Sequence, residues 1–239
     1  MNTSKPRRPI QVVYLAIGVA IALFVGWRVP YGWYALYPFT LFATWVHESG
    51  HALAAIALGG HVDGLHIFAG TGGDAVVTHW GNWRDGVVCA GGMVAPALVG
   101  GLLVLVAGTP RRATVVLGFF ALAIVAATLF WLSSIWGGIV LAALAVVLGA
   151  VALRGGPRLR YFVAQFLGVE LGLDWIYRLD YFFSATTGDD RNATSDVATL
   201  AASTGHLLPY WLWGALLAAF SCAVLYLALR IALRRDARA

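Results

Sequence analysis

The sequence predicts an all-α polytopic membrane protein with about six to seven transmembrane helices and a short β-hairpin after one of them. Three observations carry this. Of the 239 residues, 60% are hydrophobic and only 11% charged, more apolar surface than a soluble fold of this length can bury. Apolar runs of about 20 residues recur, each long enough to cross a hydrocarbon layer of roughly 30 Å as a helix, the form in which a span satisfies its own backbone. One gap between runs holds two short alternating stretches around a glycine-rich turn, which is a hairpin signal.

Taken in order, a basic terminus leads into the first run, residues 10–29, which Pro30-Tyr31-Gly32-Trp33-Tyr34 ends with aromatics suited to a membrane interface. No small-residue cleavage site follows it, so it reads as a retained span and not a signal peptide. The second run, 37–58, stops at Gly59-Gly60, and the hairpin occupies 61–80. The third, 86–108, contains Gly91-Gly92, Pro96 and Gly100-Gly101; small residues let a neighbouring helix approach closely, and the neighbour expected is the 37–58 helix. Runs 113–131 and 134–153 are almost purely apolar and read as scaffold. Run 161–183 differs, because Glu170, Asp174 and Arg178 follow at four-residue steps on one stripe; the expectation is an internal ion-pair ladder. A polar loop over 184–195 precedes a short helical stretch from Asp196, and 207–232 is the last run.

All seven runs form one integral-membrane domain over 1–239, with no soluble module attached. The formal net charge of +5 does not point to nucleic acid, since the arginines fall in short clusters between apolar runs. A cytoplasmic location for Arg28, Arg111, Arg112, Arg154, Arg158 and Arg160 satisfies most of the positive-inside bias, while Lys5, Arg7 and Arg8 run against it. Orientation therefore stays open, as does oligomeric state. Cys89 and Cys222 both lie in apolar runs without metal-ligand spacing and read as packing residues.

The chemistry concentrates in His47-Glu48-Ser49-Gly50-His51, inside the second run. Residues four apart on a helix share a face, so His47 and His51 can present two imidazole nitrogens to one ion. Glu48 is then placed to take a proton from a water that the metal acidifies toward a pKa of roughly 7. The membrane setting strengthens the reading: insertion scales charge roughly 2.5 to 3.5 kcal/mol for an ionised group at mid-span, so such residues are usually functional. A catalytic metal of this kind takes three protein ligands and keeps an open position, and the remaining candidates are acidic. His61, His66 and His79 belong to the hairpin and read as surface residues, and His206 is isolated. The hairpin edge can receive an extended peptide as an added strand, or the segment can be an exposed loop.

The sequence resembles the site-2 protease group of intramembrane metalloproteases, most of all its M50B-like branch. The likeness rests on His47-Glu48-Ser49-Gly50-His51-Ala52-Leu53-Ala54-Ala55, on Ala90-Gly91-Gly92-Met93-Val94-Ala95-Pro96 and on Ser195-Asp196-Val197-Ala198-Thr199-Leu200-Ala201. It implies a zinc peptidase that cuts a transmembrane protein substrate within the lipid bilayer, in a bacterial plasma membrane, with Glu48 catalytic. It also implies a late aspartate as third Zn2+ ligand beside His47 and His51. Asp196 matches that position, although no proline precedes it and no glycine follows as the better-studied branch has; Asp180 and Asp174 are the alternatives. A rival reading is a non-catalytic scaffold or pseudoprotease that retains the motif. A metal transporter or di-iron oxidase would need histidine clusters on several spans.

Overall fold

The computed structural model describes residues 17, 18, 21, 31, 33–187 and 190–236. The expected span at 10–29 and the basic terminus before it lie almost wholly outside the described residues. In chain order the elements are α1 (Trp33–Ala57), β1 (Val62–Ile67), β2 (Gly73–Val77), α2 (Trp83–Val106), α3 (Pro110–Phe130), α4 (Ile135–Arg154), α5 (Pro157–Tyr177), one-turn α6 (Leu179–Phe182), β3 (Thr186–Thr187), β4 (Asp190–Thr194), α7 (Asp196–Ser203) and α8 (Tyr210–Asp236).

Among the described residues, four helices are long and apolar enough to cross a membrane: α2, α3, α4 and α8. The count of six to seven expected spans is thus not confirmed. The two long helices that fall short, α1 and α5, are those carrying polar side chains: His47, Glu48 and His51 on one, and Arg158, Arg160, Glu170 and Asp174 on the other. These groups lower the hydropathy of helices that are otherwise apolar, and all but Arg158 and Arg160 are buried in protein. Every residue from Leu41 to Glu48 is buried, the behaviour of a helix enclosed on all sides.

Helix α2 is the hub, packing against α1, α5, α7 and α8. Its start is fixed by a capping box in which the Asn82 side chain accepts from Arg84 N at 3.0 Å and Asp85 accepts from Asn82 N at 3.2 Å. Its small residues do the close packing expected of them. A Cβ at Gly91 would meet Ala54 and the Gly50 carbonyl, and one at Gly100 would meet the backbone of Gly168 and Gly172. The pair α3 and α4 packs mainly on itself and on α5, with Leu117, Ile124, Leu141 and Leu148 inward.

The expected hairpin is present, antiparallel, with Leu65 opposite Ala75 and Ile67 opposite Gly73. Its strands are not equivalent. On its far side β1 is engaged by the α3–α4 connection, where Leu65 N donates to Trp131 O at 2.7 Å and Ser133 N donates to Leu65 O at 2.9 Å. That leaves β2 as the edge of a two-stranded sheet.

Two expectations are corrected. Run 161–183 is not one helix: α5 ends at Tyr177, and Arg178 leaves helical geometry at φ −105°, ψ 17° before α6 begins. There Arg178 turns its guanidinium inward to Asp174 and to Thr44 on α1, which fixes the break. The polar stretch 184–195 is not a plain loop either, since β3 and β4 pair antiparallel within it. The ladder forms only in part. Arg178 and Asp174 lie 2.9 Å apart, whereas Glu170 Oε1 has no hydrogen-bond partner among the described residues.

Candidate metal centre

One helical turn of α1 sets the His47 and His51 rings edge to face, centroids 4.7 Å apart. Their Nε2 atoms are 3.0 Å apart. On the far side of its ring, His51 Nδ1 stands 2.9 Å from the Val88 carbonyl of α2. A carbonyl only accepts, so Nδ1 carries the hydrogen, and in the neutral ring Nε2 presents a lone pair to the centre. Gly92 makes room for this: a Cβ there would run into the imidazole of His51.

The third group arrives from 149 residues away in the chain. Asp196 is the first residue of α7, whose N-cap Ser195 accepts from Ala198 N at 3.3 Å and donates to Ser184 O at 2.6 Å. Asp196 Oδ2 lies 3.1 Å from His47 Nε2 and 3.4 Å from His51 Nε2. Burial opposes ionisation of Asp196, while the facing His51 and His47, when protonated, favour it and hold the carboxyl below the usual carboxylate range.

His47, His51 and Asp196 together could hold a metal ion, their ligand atoms all lying within 4.8 Å of one another. The spacing can be tested against a definite ion. Tetrahedral zinc with ligands at about 2.0 to 2.1 Å places neighbouring donor atoms about 3.3 to 3.4 Å apart, and the three separations here are 3.0, 3.1 and 3.4 Å. Two imidazole nitrogens and a carboxylate oxygen are also a donor set suited to zinc. The second nitrogen of His51 is fixed by a backbone carbonyl, as ligating histidines usually are. The residues present fit the ion.

Glu48 is 4% exposed and lines the same cavity of about 270 Å³ as the three donors, together with β2 and Tyr181. Gly73, the first residue of β2, lies flush on it: a Cβ there would come within 2.5 Å of Glu48 Oε1 and 2.8 Å of Thr44 Cγ2. The hairpin turn is held on α1 by Tyr37 Oη donating to Ala69 O at 2.9 Å and by Thr44 Oγ1 donating to Thr71 O at 2.6 Å.

Of the acidic candidates, then, only Asp196 joins the histidines among the described residues. Asp174 is taken by Arg178, and Asp180 is exposed on α6. The hairpin histidines stay out of the group: His61 pairs with Asp63 at 3.4 Å and His79 with Asp85 at 3.1 Å. Sequence reading missed three contributors, namely the Val88 carbonyl, the cleft at Gly92 and Tyr181, whose hydroxyl donates to Asp196 Oδ2 at 3.0 Å. The small-residue run over 90–96 pointed to the second of these; no spacing marks the other two.

Over residues 16–228 the chain matches the family model described as Peptidase M50B-like. It belongs to that family. Comparison with curated proteins and with solved structures gives no match. The family supports a peptidase, and together with the four apolar helices it supports an integral membrane protein.

Proposed function

We propose that this M50B-like chain is an intramembrane zinc metalloendopeptidase that hydrolyses peptide bonds of membrane-embedded proteins. The observation that carries the reading is the convergence of His47, His51 and Asp196 in a cavity that Glu48 also lines. His47 Nε2, His51 Nε2 and Asp196 Oδ2 would hold the ion. When bound, zinc supplies an acidified water and polarises the scissile carbonyl.

Glu48 is the general base. Its carboxylate takes the proton of the attacking water and returns it to the leaving amine, so one group serves both proton transfers. Val88 O keeps the His51 ring in the tautomer that leaves Nε2 free toward the centre. The bonds balance as an ordinary hydrolysis: the C–N bond breaks, the C–O bond forms, and no oxidant or co-reactant is required.

A helical amide is shielded and already hydrogen-bonded, so a transmembrane substrate has to unwind locally before attack. β2 suits the unwound strand, because its partner strand is engaged on both sides while β2 borders the cavity. Strand addition would supply main-chain hydrogen bonds that lipid cannot.

The test is Glu48→Gln in purified protein reconstituted with a single-span substrate. Zinc content should equal that of the wild type while cleavage falls by about 10² to 10⁴, the usual contribution of a general base. Cleavage that survives this substitution would remove the mechanism. Function unchanged after chelation of the metal would favour a non-catalytic scaffold.

A further inference from the structure

We propose that Tyr181 is a positioning residue for the third ligand, fixing through its phenol the angle at which Asp196 meets the metal. This rests on the reading of His47, His51 and Asp196 as the zinc ligands.

The geometry is a two-point grip. Tyr181 Oη donates to Asp196 Oδ2 at 3.0 Å and accepts from the backbone N–H of the same Asp196 at 3.3 Å. The oxygen it donates to is the one facing both imidazoles, at 3.1 and 3.4 Å. One hydroxyl therefore spans the backbone and the side chain of the ligand, which removes the rotation about χ1 and χ2 that would otherwise let the carboxylate turn away. Asp196 needs such a hold more than the histidines do. Those stand on a 25-residue helix buried continuously from Leu41 to Glu48, whereas Asp196 opens an eight-residue helix after a strand.

The phenol has a second effect. Donating to the Asp196 carboxylate would lower the electron density it offers and so would leave an ion held there a stronger Lewis acid. Tyr181 itself is held by its surroundings: its ring stands 6.3 Å from that of His47, centroid to centroid, and Arg178, three residues earlier, is tied to Asp174 and Thr44. Tyr181 follows the break between α5 and α6 by three residues and reaches Asp196 through its hydroxyl. A helix continuing through Arg178 would carry residue 181 in another direction.

The experiment is metal affinity measured by chelator competition, with zinc and with cobalt, on full-length protein in detergent. Tyr181→Phe keeps the ring and removes the hydroxyl. Affinity should fall by about 10- to 100-fold, the range typical for groups that orient metal ligands, with helical content unchanged and with altered visible absorption bands of the cobalt form. A second comparison keeps the proposal open to refutation if Tyr181→Phe also loosens the fold. In an Asp196→Ala background, which leaves the two histidines to bind cobalt weakly, Tyr181→Phe should weaken that residual binding no further, because its effect passes through the carboxylate. Affinity within twofold of the wild type for Tyr181→Phe, or an equal loss in both backgrounds, overturns the role of Tyr181 and leaves the metal reading intact. A wild type that binds neither ion, or binds them undiminished after His47→Ala, overturns the metal reading and this inference with it.

Discussion

Two polar clusters meet along α1 inside this apolar protein, and they are built on opposite principles. In the first, His47, His51 and Asp196 point their electron-rich atoms at one spot. In the second, Asp174 and Arg178 pair opposite charges at 2.9 Å, and the spare guanidinium nitrogen donates to Thr44 at 2.6 Å. The second cluster is complete in itself: each strong group but Glu170 has a protein partner. In the proposed reading the first is completed by a cation, toward which the lone pairs of its neutral imidazoles and its carboxylate converge. A buried polar cluster that satisfies itself ties elements together, while one that converges on a point is built around something it binds.

The largest effect expected separates the two directly. His51→Ala or Asp196→Ala should abolish stoichiometric zinc and all cleavage, since a three-ligand site that loses one ligand cannot keep both geometry and affinity. Asp174→Ala and Asp180→Ala should retain zinc at the wild-type ratio. Metal analysis of the four purified variants decides it, and zinc lost from Asp174→Ala with Asp196→Ala unaffected would reverse the assignment of the clusters.

Next in size is Gly92→Ala. A single methyl group would enter the space of the His51 ring, and overpacking of this kind costs about 1 to 3 kcal/mol. The strain should fall on the ring, which can move only by giving up the Val88 carbonyl. Zinc affinity should drop about tenfold or more, on the same energetic scale, while Gly118→Ala on α3, where a Cβ meets nothing, leaves it unchanged. Chelator titration of both variants measures the difference.

What could be read from the sequence divides along similar lines. The described helices other than the one broken at Arg178, the β1–β2 hairpin and the His47-Glu48-His51 spacing are local patterns, fixed within a few residues, and they stand close to where they are expected. Asp196 was legible only through likeness to a family, because its partners are 149 residues away and no periodicity links them. The break at Arg178 was hidden because the ladder spacing continues through it; the guanidinium leaves the stripe for Thr44, a contact 134 residues distant. β3 and β4 were missed for a different reason: Thr186–Thr187 and Asp190–Thr194 are short and polar, with no alternation of apolar residues to mark a buried face. The count of spans is not confirmed, because α1 and α5 have span length while carrying the polar groups of both clusters, and the first expected span lies outside the described residues.

A smaller effect tests the second cluster as structure. Arg178→Met leaves the 6%-exposed Asp174 side chain without its cation, and breaking such a pair from one side costs about 3 kcal/mol. The hairpin turn should loosen as well, since Thr44 bridges Arg178 and the Thr71 carbonyl. Thermal unfolding in detergent should shift down, and proteolysis of the 68–73 turn should quicken, with zinc content unchanged. An unshifted melting profile would mean that the pair contributes nothing to the fold.

The smallest effect concerns Glu170, which shares the stripe with Asp174 but is not reached by Arg178. Its Oε1 is buried without a hydrogen-bond partner among the described residues, on the face of α5 that also carries Leu173 and Val169 into a core with Val104 and Leu225. A buried polar atom left unpaired typically costs 1 to 3 kcal/mol, so Glu170→Met, close in shape and free of that atom, should stabilise the protein by about 1 kcal/mol. Zinc content and cleavage should stay at wild-type levels, because Glu170 neither reaches the three donors nor lines their cavity. Thermal unfolding and a cleavage assay on the same preparation read both outcomes. If cleavage were lost while zinc and stability held, the second cluster would be carrying protons for the first, and the division between a cluster that binds and a cluster that braces would have to be given up.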